Sequence, residues 1–377
     1  MKVGIPKEIA PSETRVSVIP NMLNVITKLN HEVLVEKEAG KAAGFSDQQY
    51  IDQGAQIVNA GDLYSKADIV LKIQSPIMHP ELGKHESELL KEGAYLISFL
   101  SPTVNPEGIK KLSGTKTTAF DMGFVPRITR AQSMDALSSM ATVAGYKAVI
   151  MAADYLGKMF PLMMTAAGTV PPSNVLVLGA GVAGLQAIAT AKRLGARVSA
   201  FDPRLAVKEQ VESLGAKFVE MEMPEDAETE GGYAKEMSDE FLKKEQEAIA
   251  KNLNKVDIVI TTAQIFGKAS PILITEEMIK MMHPGSVIID LATENGGNTE
   301  LTEKGKIEKH GVIIHGVLNL PAEIPVHASQ MYSKNITNLF HLIFKDDPID
   351  WEDEITKGAC VVKDGEIVNK LVAGIVG

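Results

Sequence analysis

Short apolar runs recur along the first third of the chain, each separated from the next by a polar or amphipathic stretch. Lys2–Lys7, Glu32–Glu36, Ala67–Ile73, Tyr95–Leu100 and Thr115–Phe120 carry the β-branched and apolar residues expected of buried strands. Pro20–Leu29 and Pro80–Lys91, between them, are patterned like helices. Strand–helix alternation with short connections predicts an α/β fold with a mostly parallel sheet covered on both faces. Met134 to Phe160 then runs on without a proline or a turn cluster, predicting one long helix that leads into a second unit.

That unit opens after Pro171-Pro172 with Asn174–Leu178, a glycine-rich turn and a helix. Arg197–Phe201, Asp257–Thr262, Ser286–Leu291 and Val312–His315 continue the strand pattern. Glu220 to Glu247 breaks the rhythm: it is acidic, carries Gly231-Gly232, and then turns charged and helix-prone. A connection of that length inside a compact domain marks a functional lid or a disordered insert. Near the end, Asp364-Gly365 between Ala359–Val362 and Glu366–Val368 predicts a hairpin.

The segment NVLVLGAGVAGLQAIATAKRLGARVSAFDPR carries the strongest chemical signal. Gly179, Gly181 and Gly184 form G-x-G-x-x-G after an apolar strand and before an alanine-rich helix. The first glycine permits a tight turn, the second lets backbone approach a pyrophosphate, and the third allows close helix–strand packing. Val182 and Ala183 then open the helix, whose N-terminus supplies partial positive charge. Asp202 ends the next strand, where an acidic side chain accepts hydrogen bonds from an adenosine ribose and repels a 2′-phosphate. NAD(H) is therefore expected over NADP(H), with Arg204 nearby to soften that preference.

Composition narrows the classes. At 377 residues the chain exceeds what one core usually supports, so two domains are expected. Cys360 is the single cysteine and cannot form an internal disulfide, which argues for a reducing compartment. MKVGIPKEIA reads as a strand rather than a signal peptide, and no apolar run reaches the roughly 18 residues of a membrane span. A net charge of −10 disfavours nucleic-acid and membrane surfaces. The eight histidines show no metal-ligand spacing, and His315 and His327 read as structural. The seventeen methionines, Met163-Met164 and Met281-Met282 among them, read as core and interface filling. Asp346-Asp347 with Asp350 to Glu354 reads as a solvated acidic surface.

With these motifs in place, the chain resembles the NAD(H)-binding alpha subunit (domain I) of proton-translocating NAD(P) transhydrogenases, a family related to alanine dehydrogenases. IPKE…TRVSVIP is shared by both branches. RITRAQSMDALSS, MMTAAGTVPP, GVAGLQAIATAKRLGA, KEQVESLGAKF and GGYAKEMS look like the transhydrogenase side. The resemblance implies two doubly wound Rossmann-like domains with a cofactor cleft between them. They are expected at residues 1–137 with 325–377, and at 138–324 with a mobile loop near 222–240. It further implies direct hydride transfer between NADH and NADP⁺ bound on a partner domain, a homodimer, and a membrane-domain polypeptide that passes protons. No metal and no nucleic acid are expected. The chain ends at Gly377 without membrane helices, so it resembles the form made as a separate polypeptide, peripheral on the cytoplasmic face of the inner membrane through its partners.

One departure separates the branches. Alanine dehydrogenases carry a catalytic histidine after a strand matching Tyr95–Leu100; here the run is Ser98-Phe99-Leu100-Ser101-Pro102, and Ser101 aligns with that histidine. Amino-acid oxidation needs an acid/base near the reacting carbon. Hydride transfer between two nicotinamides needs aligned rings instead. Arg15 and Lys72 match keto-acid-binding positions and are read as inherited scaffold in salt bridges. By resemblance Arg127, Gln132, Asp135 and Ser138 contact the nicotinamide and its ribose, with Arg127 paired to Asp135 and Ser133 as a helix cap. Tyr233, on its glycine hinge, would cover a bound nucleotide. The alternatives are a stand-alone alanine-type amino-acid dehydrogenase and a non-catalytic NAD-sensing module.

Overall fold

The computed structural model describes residues 1–221, 239–264 and 268–376. The chain divides into two compact units, Met1–Met140 with Pro321–Gly377, and Ala141–Leu320.

The first unit begins with six short strands: β1 (Lys2–Ile5), β2 (Glu32–Glu36), β3 (Gln56–Val58), β4 (Ile69–Leu71), β5 (Tyr95–Ser98) and β6 (Thr118–Asp121). They pair in parallel and are apolar on both faces, as strands covered by helices must be. Several are shorter than their apolar runs. Ala67 closes the helix Ala60–Lys66, so β4 starts only at Ile69. Pro20–Leu29 splits into a 3-10 turn, Pro20–Met22, and a helix, Leu23–Thr27. Pro80–Lys91 is helical only over Glu86–Leu89, because Gly83 turns with φ 63° and Met78 bridges back to His85.

Helix α1 (Ala136–Tyr155) carries the chain from one unit to the other, and is shorter at both ends than the expected Met134–Phe160. Asp135 leaves helical geometry at φ −72° and ψ 87°, and Gly157 follows the last turn. Its Ala148, Val149 and Ala152 enter the core of the second unit. Among the described residues it is the one helix long and apolar enough to cross a membrane, with a mean hydropathy of 1.3, although Lys147 and Asp154 interrupt it.

The second unit contains a hairpin of β7 (Met163–Thr165) and β8 (Gly168–Val170), then β9 (Asn174–Leu178), helix α2 (Val182–Arg193), β10 (Arg197–Phe201) and β11 (Lys217–Phe218). Helix α3 (Asp239–Leu253), β12 (Ile258–Thr261), β13 (Val287–Asp290), β14 (Gly305–Lys309) and β15 (Val312–Gly316) complete it. The sheet order is β11-β10-β9-β12-β13-β15-β14, parallel except for the edge strand β14. Alternation along β9 feeds both cores: Val175 and Val177 pack with α1 and α2, whereas Leu176 and Leu178 pack with Ile249 and Leu253 of α3.

The chain then returns to the first unit through α4 (Pro325–Phe344) and ends with β16 (Cys360–Lys363), β17 (Glu366–Ile367) and a helix, Lys370–Val376. The completed sheet runs β17-β16-β6-β5-β4-β1-β2-β3, with β16 antiparallel to β6. Asp364 and Gly365 turn the last hairpin with φ of 51° and 86°, the left-handed pair of a tight two-residue turn. A side chain on Gly365 would strike the Thr115 carbonyl.

Both units are therefore doubly wound α/β folds of the Rossmann type. In the second, the strand order reverses direction at β9, flanked by β10 and β12, and the glycine loop follows that strand. A crevice outside the carboxyl ends of the strands at such a point is where ligands bind in open α/β sheets.

Candidate functional site

The loop from β9 to α2 has the shape its glycines demand. Gly179 sits at φ 94°, and a Cβ there would lie 2.6 Å from Thr262 Oγ1. A Cβ on Gly184 would collide with the Gly179 carbonyl, so the helix can approach the strand only with glycine at that position. Gly181 is different: nothing lies within 4 Å of a Cβ built on it, so the second glycine faces open space at the helix N-terminus. Tight packing at the outer glycines and room at the middle one suit a pyrophosphate approaching the free amides of α2, which begins with Val182 and Ala183. Gly145 of α1, which the sequence pattern did not single out, lets that helix pack against the Ala183 carbonyl.

Asp202 ties this loop to the end of β10. It is 2% exposed, and its Oδ2 accepts from the Ala180 amide at 2.7 Å. Arg204 folds back onto it: the backbone N and Nε donate to Oδ1, and Nη2 donates to Oδ2, each at 2.9 Å. All four carboxylate acceptor positions are thereby taken. Asp202 follows β10, where the fingerprint expects an acid, and Arg204 binds both of its oxygens. Beyond β12, Asn298 is fully buried; it accepts from the Ala263 amide and donates to the Ala263 and Pro271 carbonyls. Asp290, also fully buried, accepts from Asn298 N, Ala292 N and Thr302 Oγ1. This network fixes the loops at the strand ends. The double glycine in Asp290–Asn298 was its sequence signal.

In the first unit, Arg127 and Gln132 are exposed on the segment leading into α1. The expected pairing of Arg127 with Asp135 does not form. Asp135 caps α1 instead, with Oδ1 accepting from Ser138 N at 2.8 Å and Oδ2 from Ser138 Oγ at 2.6 Å. The cap is thus Asp135 rather than Ser133, because the acid lies one residue before the first helical position. Ser133 anchors the preceding 3-10 turn through its carbonyl, which accepts from Asn335 and Asn338 of α4. Tyr233 and most of the 222–240 loop lie outside the described residues.

Arg15 and Lys72 are both buried in ion pairs. Glu13 binds Arg15 at Nε and Nη2, at 2.8 and 2.6 Å. Lys72 lies 2.7 Å from Glu86 and 3.4 Å from Glu8. Burial alone would lower the Lys72 ammonium, but Glu8 and Glu86 outweigh it and hold it above its ordinary range. Burial raises the Glu8 carboxyl, against the pull of Lys72. Ser101 is exposed at φ 49°. Its amide, with those of Leu100 and Gly123, bonds the buried Asp121, whose carboxyl burial pushes up to about 6. Cys360 is buried, with its thiol pushed up to about 12 by burial. His315 lies against Tyr155, 3.0 Å from its hydroxyl, and His327 is exposed on α4. Among the described residues no group of three His, Cys, Asp or Glu gathers as a metal site.

Two Rossmann-type units, one with a complete glycine cradle, define a doubly wound α/β protein built for a nucleotide ligand. Comparison with known proteins sharpens this. The family "Alanine dehydrogenase/PNT, N-terminal domain" matches residues 4–144, and "Alanine dehydrogenase/PNT, C-terminal domain" matches 148–370. The chain belongs to the alanine dehydrogenase/PNT family. It is 51% identical over 382 residues to the first part of the NAD(P) transhydrogenase alpha subunit of Rhodospirillum rubrum, covering 99% of each chain. The alanine dehydrogenase of Methanococcus maripaludis is 31% identical, over 86% of this chain and 82% of that one. A solved structure of transhydrogenase from Sinorhizobium meliloti is 42% identical with a TM-score of 0.87, over 98% of this chain and 100% of that one. Sequence thus places the chain nearer the transhydrogenase subunit than the dehydrogenase. The C-terminal match runs continuously to residue 370, whereas in space residues 321–377 return to the first unit.

Proposed function

We propose that this chain binds NAD(H) and passes hydride between NADH and an NADP⁺ held on a partner domain, as the hydride-transfer subunit of a proton-translocating transhydrogenase. The observation that carries this reading is Ser101, together with Arg15 and Lys72 closed in buried ion pairs: the positions an amino-acid dehydrogenase would use offer neither an acid/base nor an open cation pair. Bound NADH supplies the hydride. The chain's own work is to hold and orient. The Gly179–Gly184 loop and the first turn of α2 receive the pyrophosphate, and Asp202 marks the adenosine end. Arg127, Gln132, Asp135, Ser138 and Tyr233 are proposed for the nicotinamide end. Transfer between two rings depends on their alignment and on exclusion of water, not on a protein proton donor.

The carboxylate of Asp202 supports NAD(H) here and NADP(H) on the partner. A membrane polypeptide would carry the protons and hold this subunit at the cytoplasmic face of the inner membrane. A homodimer is supported by the β7–β8 hairpin, which forms a sheet of its own and exposes Met164 to 80%. Two-stranded hairpins are marginal alone in water and are expected to pack against something. The deciding experiment is cyclic hydride transfer: the protein with an NADP(H)-binding transhydrogenase domain, NADH, an acetylpyridine analogue of NAD⁺, and NADP(H), with alanine or pyruvate in a parallel tube. Reduction of the analogue that depends on the partner domain supports the proposal. NADH formation from alanine overturns it.

A further inference from the structure

One peptide of the glycine loop is held from both sides. Strand β9 lies between β10 and β12, and the residue that follows each neighbour turns its side chain onto the Gly179–Ala180 peptide. From the β10 side, Asp202 Oδ2 accepts the Ala180 N–H at 2.7 Å. From the β12 side, Thr262 Oγ1 donates to the Gly179 carbonyl at 3.0 Å. A trans peptide points its C=O and N–H in opposite directions, so these two bonds fix its plane. Backbone bonds seat the clamp: Gly179 N donates to the Phe201 carbonyl and Thr262 N to the Leu178 carbonyl, both at 2.8 Å. Behind Thr262, Asn298 holds Ala263 by its N–H and its C=O. Gly179 sits at φ 94°, and glycine exchanges left-handed for right-handed backbone at little cost, so the residue itself does not keep this orientation. The carbonyl that Thr262 binds is also the one against which Gly184 brings α2 into contact.

We propose that Thr262 is a positioning residue of the pyrophosphate site: its hydroxyl holds the Gly179 peptide in the orientation that aims the amides at the start of α2 towards the phosphates. This rests on the reading of Gly179–Gly184 as the NAD(H) cradle. Without the hydroxyl the peptide is held on one side only, by Asp202, and the entry to α2 samples other orientations. The nucleotide then has to select the competent one, so its apparent affinity falls with the fraction of molecules that are competent. Thr262 acts through the loop and not on the ligand, so its loss weakens ligands that carry the pyrophosphate and spares those that lack it.

The test is a fluorescence titration of the whole protein with NADH, with ADP-ribose and adenosine as competitors, for wild type, Thr262→Val and Thr262→Ser. Valine keeps the branched shape without the hydroxyl, and serine keeps the hydroxyl. The expected result is a rise of about fivefold in the NADH and ADP-ribose dissociation constants of Thr262→Val, with adenosine within about twofold of wild type and Thr262→Ser restored to wild-type binding. Melting curves check the fold; where the valine variant does not fold, Thr262→Ala takes its place with the same expectations. Unchanged NADH affinity in the variant without the hydroxyl overturns the role of Thr262 and leaves the cradle standing. An equal loss for adenosine overturns it too, since that is general damage to the site, as does a loss in Thr262→Ser as large as in Thr262→Val. Failure of wild type to bind NADH overturns both the cradle and the role of Thr262.

Discussion

The Arg204 guanidinium grips Asp202 through both carboxylate oxygens, Nε to Oδ1 and Nη2 to Oδ2, each at 2.9 Å. The pair is nearly buried, with side-chain exposures of 12% and 3%. If the ribose is to use Asp202, Arg204 must leave it, and the bidentate pair then competes with the nucleotide. Arg204→Ala is accordingly expected to bind NADH as tightly as wild type or up to about threefold more tightly, a change of under 1 kcal/mol. Isothermal titration calorimetry measures it directly. A tenfold loss of affinity would mean that Arg204 itself contacts the nucleotide.

The two glycines Gly181 and Gly184 separate folding from binding. A methyl on Gly184 collides with the Gly179 carbonyl, so Gly184→Ala must push α2 off the sheet. Such overpacking lowers stability by about 1–3 kcal/mol. A methyl on Gly181 meets nothing, so Gly181→Ala should melt as wild type does while filling the space a pyrophosphate needs. Thermal melts paired with NADH titrations resolve the two effects. Equal melting losses in both variants would refute the distinction.

The fold was most legible where a run of apolar residues is cut cleanly by turn residues. Glu32–Glu36, Asn174–Leu178 and Arg197–Phe201 have the bounds their sequence predicts. Strand β14, Gly305–Lys309, escaped because it is an edge strand with much of its surface in water, so it lacks an apolar signature. The glycine cradle could be read because each glycine answers a steric demand fixed by local spacing. Which neighbour saturates Asp202 could not, since that depends on the Arg204 rotamer. The Arg127–Asp135 pairing failed for a related reason: a capping bond to Ser138, three residues on, is available as soon as the helix forms.

The buried cluster around Lys72 makes a separate prediction. Glu8 and Glu86 both bind its ammonium, and Glu86 also accepts from Tyr64 at 2.6 Å. Lys72→Met would leave two buried carboxylates without their cation, a loss on the order of 3–5 kcal/mol. Burial already raises the Glu8 carboxyl, so protonation relieves the defect: the loss should be largest above neutral pH and shrink towards pH 5. Adding Glu86→Gln should recover part of it. Urea unfolding at pH 5 and pH 8 gives the comparison, and a pH-independent loss would contradict the ionic account.

Asp121 supplies a simpler pH dependence. Its folded-state pKa of about 6 lies above the ordinary aspartate value of 3.8, because burial outweighs three backbone hydrogen bonds. The folded state therefore holds the proton more tightly. The stability this contributes is fully present below about pH 4 and is lost as pH rises through about 6. Asp121→Asn removes the ionisation but keeps an acceptor for Gly123 N. Relative to wild type it should gain stability between about pH 4 and 6 and hold a constant advantage above, on the order of 3 kcal/mol. Unfolding midpoints across pH 4–8 should show that sigmoid, and a flat difference would place the buried charge elsewhere.

The hairpin Met163–Val170 tests the dimer. Leu162, Met163 and Met164 are exposed to 51%, 38% and 80%, an apolar tip on two strands that pair with no other strand among the described residues. If that tip packs against a second copy of the chain, its burial contributes at about 25 cal/mol per Å², and a charge placed there is left without a partner. Met164→Asp should therefore shift the protein from dimer to monomer in sedimentation velocity at micromolar concentration. The second-unit core does not include Met164, so NADH affinity should stay within about twofold of wild type. A dimer that survives both Met164→Asp and deletion of residues 163–170 would place the interface on another surface. A monomeric wild type would remove the homodimer from the proposal, while the hydride-transfer reading would still stand on its own test.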